Sequence, residues 1–228
     1  MHIVEFFKEL KGAIPDLNEE WKEKYKLFLI DENLLLFSEN LVSFYHQKTE
    51  ISRLPYFKDE IIIPLQDSLS YLKIVIEAFV NNSDSLKSSI IYAIENTPFE
   101  IILLILGQRL TSASRRDEKG IPPAKEILLE SCFLPFNSEI SIATRAWEKH
   151  VGRKKESIFG TIKGNSSQKR HVVEELINYI MSHKTWWNIF YHYKHDLVYE
   201  IRIENGQGMR WSADGKQFIG FLEDFLEE

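Results

Sequence analysis

Apolar residues return every three or four positions through the first half of the chain, and every second position near its end. Phe6, Leu10 and Ile14 recur at four-residue spacing, which puts them on one side of a helix. Asp16 stands where a second helix carrying Trp21, Tyr25 and Phe28 needs an N-cap. Residues 34–46 are apolar on most sides and predict a buried helix. After a loop ending in Pro55, residues 61–79 predict a longer helix. Asn81-Asn82-Ser83 breaks the pattern before 84–96, and 101–110 closes the helical series. Short antiparallel helix pairs are the expected arrangement.

Between 111 and 123 the chain is built from Ser, Arg, Asp, Lys, Gly and Pro, the strongest linker signal in the sequence. Beyond it the pattern is mixed. Ser141 opens a short helix to about His150 or Val151. Ser166 or Ser167 caps an amphipathic helix to about Ser182, with Val172, Leu176, Tyr179 and Ile180 as its apolar face. Three or four strands follow. Leu197, Tyr199, Ile201 and Ile203 alternate with Val198, Glu200 and Arg202, a period of two.

A three-residue loop Asn205-Gly206-Gln207 keeps the apolar positions on one face. It pairs Ile203 with Met209, Ile201 with Trp211, and Arg202 with Arg210. Asp214-Gly215 then serves as a tight turn pairing Trp211 with Phe218 and Met209 with Gly220. The expected fold is α+β. A helical bundle (1–112) and a linker (113–123) precede a domain (124–228) whose small antiparallel β-meander packs on helices.

Composition narrows this picture only in places. The net charge of −6 gives no general reason to expect nucleic acid as a partner, so nucleic acid is held unlikely. The charge is uneven. Residues 1–120 hold 14 Lys+Arg against 19 Asp+Glu, whereas 121–228 hold 14 against 15. Arg145, Lys149, Arg153, Lys154, Lys155, Lys163, Lys169 and Arg170 crowd one stretch against Glu148 and Glu156. The lone Cys132 lies between Leu129 and Phe133, as a buried thiol does, and excludes an internal disulfide framework. The N-terminus shows no secretion signal, and 101–106 is too short to cross a bilayer. A cytoplasmic protein with no membrane contact is expected.

Candidate chemistry gathers near the C-terminus. Arg202 and Arg210 share a sheet face with Glu200. They either form an ion network with Glu200 and Glu223, or hold an anionic ligand beside Trp211. Arg145, Lys149 and Arg153 recur every four residues, as a solvated stripe or as further ligand contacts. His150 and His192 are candidate acid–base groups because imidazole titrates near neutrality. His192 and His195 fall where strand runs into turn and are not expected to point the same way. No thiolate cluster or helical histidine pair at four-residue spacing is present, so neither metal nor cofactor is expected. Lys163-Gly164-Asn165-Ser166-Ser167 leads into a helix N-terminus. It is either a cap or an anion contact, and it lacks the glycine spacing of a P-loop.

These residues carry a resemblance. Arg145-Ala146 with Lys149-His150, Trp186-Trp187-Asn188 with His195-Asp196, Gly206-Gln207-Gly208-Met209-Arg210-Trp211, and Phe218-Ile219-Gly220-Phe221-Leu222-Glu223 make up a pattern. It resembles that of an uncharacterised domain family of bacteria and some eukaryotes, with Asp224 where the family has proline. The resemblance covers about residues 135–224 and implies no known activity. Ile14-Pro15-Asp16-Leu17 and Leu106-Gly107-Gln108-Arg109-Leu110 make the N-terminal part similar to small helical bacterial domains, which implies an immunity-type or partner-binding role.

The function expected is that of a binding or regulatory protein. Its helical half meets a protein partner, and Arg145, Lys149, Arg202, Arg210 and Trp211 hold a small anionic ligand. The competing expectation is an enzyme acting on a phosphate-bearing substrate, with His150 or His192 as acid–base and arginines stabilising charge.

Overall fold

A computed structural model describes residues 2–46, 54–64, 69–153, 157–161 and 163–224. Lys154, Lys155 and Glu156 of the basic stretch lie outside them. The chain divides into two units: Met1–Ser52 with Glu60–Ile121, and Arg53–Asp59 with Pro122–Glu228. The first is helical and the second joins helices to an antiparallel sheet, so the class is α+β.

In the first unit α1 (Ile3–Ala13) buries Phe6, Leu10 and Ala13. Ile14 leaves the helix for a 3-10 turn, Ile14–Asp16. With Asp16 inside that turn, Asn18 caps α2 (Glu19–Lys24), its side chain accepting the Trp21 amide at 3.1 Å. Helix α3 (Asp31–Tyr45) turns Leu34, Phe37, Leu41 and Val42 inward. Phe28 stands edge-on to Phe37 and Phe99, at 5.5 and 6.2 Å, and Tyr25 stacks on Phe99 at 3.9 Å.

The long helix expected over 61–79 does not form as one element. The Ile61 amide donates to the Leu110 carbonyl at 2.8 Å, and Pro64 has no amide to continue a helical ladder. Residues 65–68 are outside the described set, and α4 runs Lys73–Val80. Helix α5 (Leu86–Asn96) leads to α6 (Phe99–Ile105). Helix α6 stops short of the expected 110 because Gly107, at φ 95°, reverses the chain. The Gln108 amide then returns to the Leu103 carbonyl at 3.0 Å. Among the described residues no single helix is long and apolar enough to cross a membrane.

The second unit begins with α7 (Lys125–Phe133) and α8 (Ile142–Glu148). Ser141 caps α8 by accepting the Thr144 amide. Helix α9 (Ser166–Ser182) is capped one residue earlier than expected, by Asn165 in a capping box with Gln168. Its buried face is Val173, Leu176, Ile177 and Ile180, whereas Val172 and Tyr179 are exposed. Strands β1 (Lys184–His192), β2 (Asp196–Ile203), β3 (Gly208–Ser212) and β4 (Phe218–Leu222) form a meander in sequential order. Ile189, Tyr199, Ile201, Met209, Trp211, Phe218 and Phe221 supply its apolar side. Trp211 Nε1 donates to the Leu128 carbonyl at 3.2 Å, tying that side to α7.

The β2–β3 register differs from the expected one by two residues. Ile201 pairs with Met209, Tyr199 with Trp211, Glu200 with Arg210 and Arg202 with Gly208. The loop still has three residues but spans 204–206, since the Ile203 amide bonds the Gln207 carbonyl. A shift of two keeps every side chain on its face while changing its partner. The physical gain is plain. Opposite charges now lie across from each other where two arginines would have repelled. A Cβ at Gly208 would collide with the Ile201 carbonyl and come within 2.9 Å of the Arg202 stem, so only glycine fits there. Trp211 does pair with Phe218, but Met209 pairs with Phe221 because the strand bulges around Ile219.

Candidate active site

The sheet's second face carries the charge. Asn188, Glu200, Arg210 and Gly220 lie in one row across the four strands, with Trp186, Arg202 and Gly208 in the next. Glu200 is 2% exposed, and both its oxygens are engaged: Oε1 accepts Arg202 Nε at 2.5 Å and Oε2 accepts Arg210 Nε at 2.7 Å. Arg202 also donates to the Gly206 carbonyl at 2.5 Å and the Glu223 carbonyl at 3.0 Å. Burial pulls the Arg202 guanidinium below its ordinary value, and Glu200 opposes the shift. Arg202 is thus held wholly within the protein.

Arg210 is different. It reaches outward from Glu200, and its Nη1 stands 2.9 Å from His192 Nε2. The Lys194 amide approaches His192 Nδ1 at 3.2 Å. Both ring nitrogens therefore face donors. A neutral imidazole has one lone pair to offer, and an imidazolium has none. Burial, then the Arg210 charge, then His195 hold the His192 pKa below the ordinary histidine value. That direction favours the neutral ring, whose one lone pair the Arg210 guanidinium engages at Nε2.

His195 was not expected to join His192, yet the two rings stack at 5.1 Å and 19°. The tight turn between β1 and β2 brings them together, with the His195 amide bonded to the His192 carbonyl. Tyr193 lies against His192 at 4.6 Å.

The other candidates lie elsewhere. Trp211 is 0% exposed in the core, on the face away from Arg210, because neighbouring strand residues alternate. Arg145 lies over the Phe136 ring and 3.7 Å from Glu148. Lys149 is exposed, with no ion pair among the described residues. His150 Nδ1 meets Glu223 Oε1 at 2.5 Å, and its ring packs near Phe159 and Phe221 on the apolar side of β4. The Asn165 capping box occupies the α9 N-terminus. Arg202 and Arg210 therefore share a cluster with His192, and Arg145, Lys149 and Trp211 are outside it.

Phe57 and Leu54 had no sequence signal, and Asn188 stood in the family pattern without an assigned place in the site. Phe57 stacks on Trp186 at 4.7 Å and lies 5.8 Å from the Arg202 guanidinium, while Leu54 accepts a hydrogen bond from Thr185. A segment from the first third of the chain thus covers the Arg202 end of the charged face. Asn188, 0% exposed, sits directly across from Glu200. Among the described residues no group of three His, Cys, Asp or Glu side chains is placed to hold a metal ion. Cys132 is fully buried, and burial pushes its thiol up to about 12.

Comparison with curated proteins and with solved structures gave no match. Residues 130–223 match the family model described as the CdiA C-terminal tRNase toxin domain. That match overturns both functional expectations, the regulator holding a small anion and the enzyme acting on a phosphate-bearing substrate. It also replaces the uncharacterised family with a described one and removes the ground for holding nucleic acid unlikely. The acidic excess belongs mainly to residues 1–120, which the matched region does not include. From the end of α7 to just past β4, the second unit is similar to a tRNA-cutting toxin domain.

Proposed function

We propose that the second unit cleaves tRNA, using the ribose 2′-hydroxyl as the nucleophile. The observation that carries this reading is the match of residues 130–223 to a tRNase toxin domain. The His192–Arg210–Glu200 cluster supplies chemistry that fits it. When Arg210 Nη1 turns from His192 Nε2 to the phosphate, the freed lone pair of neutral His192 accepts the 2′-hydroxyl proton as the oxygen attacks phosphorus. Arg210 stabilises the negative charge that builds on the phosphoryl oxygens, and Glu200 holds the guanidinium in place for that task. The P–O5′ bond breaks, and His195 beside His192 returns a proton to the departing oxygen. The products are a 2′,3′-cyclic phosphate and a 5′-hydroxyl. DNA lacks the attacking hydroxyl and is not a substrate.

A tRNA-cutting toxin endangers the cell that makes it. A neutralising protein partner follows, and covering the His192–Arg210 rim is its most direct route to inhibition.

The test is incubation of the full chain with total tRNA and with a DNA strand of matched length, read on denaturing gels. Cleavage of tRNA alone, leaving 5′-hydroxyl ends, is expected. His192→Ala should slow it by about 10²–10⁴-fold, the usual contribution of a positioned acid–base group. Intact tRNA after prolonged incubation with wild type defeats the reading.

A further inference from the structure

Tyr193 is 85% exposed at the tip of the β1–β2 turn, so its ring adds almost nothing to the apolar core. A solitary exposed aromatic needs no explanation. This one is not solitary. One side of the ring adjoins His192 at 4.6 Å, and Lys194 Nζ lies 5.1 Å from its centroid. Beyond His192 come His195, stacked at 5.1 Å, and Arg210 at 2.9 Å. Four consecutive residues, 192–195, therefore present a largely exposed aromatic ring, two imidazoles and a lysine beside the guanidinium assigned to the scissile phosphate.

Resting on the nuclease reading, we propose that Tyr193 is the stacking platform for one unpaired nucleobase next to the cleaved linkage. Single-stranded RNA is recognised where splayed bases stack on aromatic rings while cations track the backbone. Tyr193 offers the first and Lys194 the second, within one turn of His192. Stacking is tolerant of base identity, so the platform selects an unpaired nucleotide rather than a sequence. It directs cleavage to a loop or an end of tRNA and away from a paired stem.

The test is equilibrium binding of short single-stranded RNA to the full chain, with 2′-O-methyl riboses to block turnover. Wild type is compared with Tyr193→Ala, Tyr193→Phe and Tyr193→Trp, on an intact strand and on strands with one abasic position moved along the chain. Tyr193→Ala should weaken binding of the intact strand roughly 5- to 150-fold, the range for loss of one stacked base. For one abasic position the loss should vanish, and Phe and Trp should retain wild-type affinity. Equal affinity of wild type and Tyr193→Ala overturns the platform, as does a loss that persists at every abasic position. Cleavage of unmodified tRNA by wild type is scored separately. Tyr193-dependent binding without cleavage removes the nuclease reading and leaves the platform. Cleavage without Tyr193 dependence does the reverse.

Discussion

Arg210 donates to His192 Nε2 across 2.9 Å, while its Nε is anchored 2.7 Å from Glu200 Oε2. A buried carboxylate thus aims one guanidinium at one imidazole. Protonating His192 sets two positive groups against each other, which fixes the sign of its pH dependence.

Because the folded-state pKa of His192 is lowered, the folded protein favours the neutral ring. Above the ordinary histidine pKa of about 6.5 the ring is neutral in both states and costs nothing. As pH falls through that value towards the lowered one, the unfolded chain takes up the proton first and stability is lost. Urea unfolding between pH 7.5 and 5 should show a falling midpoint, flatter in His192→Gln. An unchanged slope in the variant would show that His192 is not the group responsible. The acid limb of the cleavage profile should likewise lie below the ordinary histidine range.

Glu200→Gln should be strongly destabilising. It leaves Arg202, 7% exposed, without its carboxylate, and loss of one partner from a buried ion pair costs about 3–5 kcal/mol. Urea denaturation measures it, and a cost below about 1 kcal/mol would contradict the burial argument. The triple replacement of Glu200, Arg202 and Arg210 by apolar residues should recover stability while abolishing cleavage.

Gly208→Ala should disturb the β2–β3 hairpin. The added methyl meets the Ile201 carbonyl and the Arg202 stem, neither of which can yield without breaking the ladder or the ion network. Overpacking of this kind costs about 1–3 kcal/mol. Amide exchange at Ile201 and Met209 should quicken in the variant. Unchanged protection there would mean that the strands are less closely apposed than described.

Phe57→Ala should uncover Trp186 and the Arg202 end of the charged face. Losing the stacked partner costs about 0.5–1.5 kcal/mol beyond the buried area. Trp186 emission should shift to the red. A fragment starting at residue 122 lacks Leu54 and Phe57 and should show the same shift. Identical emission in all three proteins would mean that the segment does not cover Trp186.

Much of this fold could be read from residue order. The four-residue recurrence of Phe6 and Leu10, the Ser141 cap and the alternation from Leu197 to Ile203 depend on local spacing, and the structure follows them. Apolar spacing predicts a 61–79 helix that Pro64 interrupts, and it leaves the β2–β3 partners open because either register puts the same residues inside. Arg202, Arg210 and His192 were singled out from the sequence. What they touch was not, since Glu200 takes both arginines only when its strand pairs two residues away from the apparent register. Phe57 had no signal at all, for nothing in its neighbours indicates a partner 129 positions later at Trp186.

Periodicity, caps and turn residues are properties of neighbouring positions. By themselves they determined that this chain has a helical first part, a meander at its end and a concentration of cationic and aromatic groups in that meander. Which of those groups meet is a matter of strand register and chain crossing. Only the folded structure decided that Arg210 faces Glu200 and His192, and that His150 is held apart with Glu223. The reason is geometric: a shift of two residues leaves hydrophobic burial almost unchanged, yet it alters every charged contact across the strands.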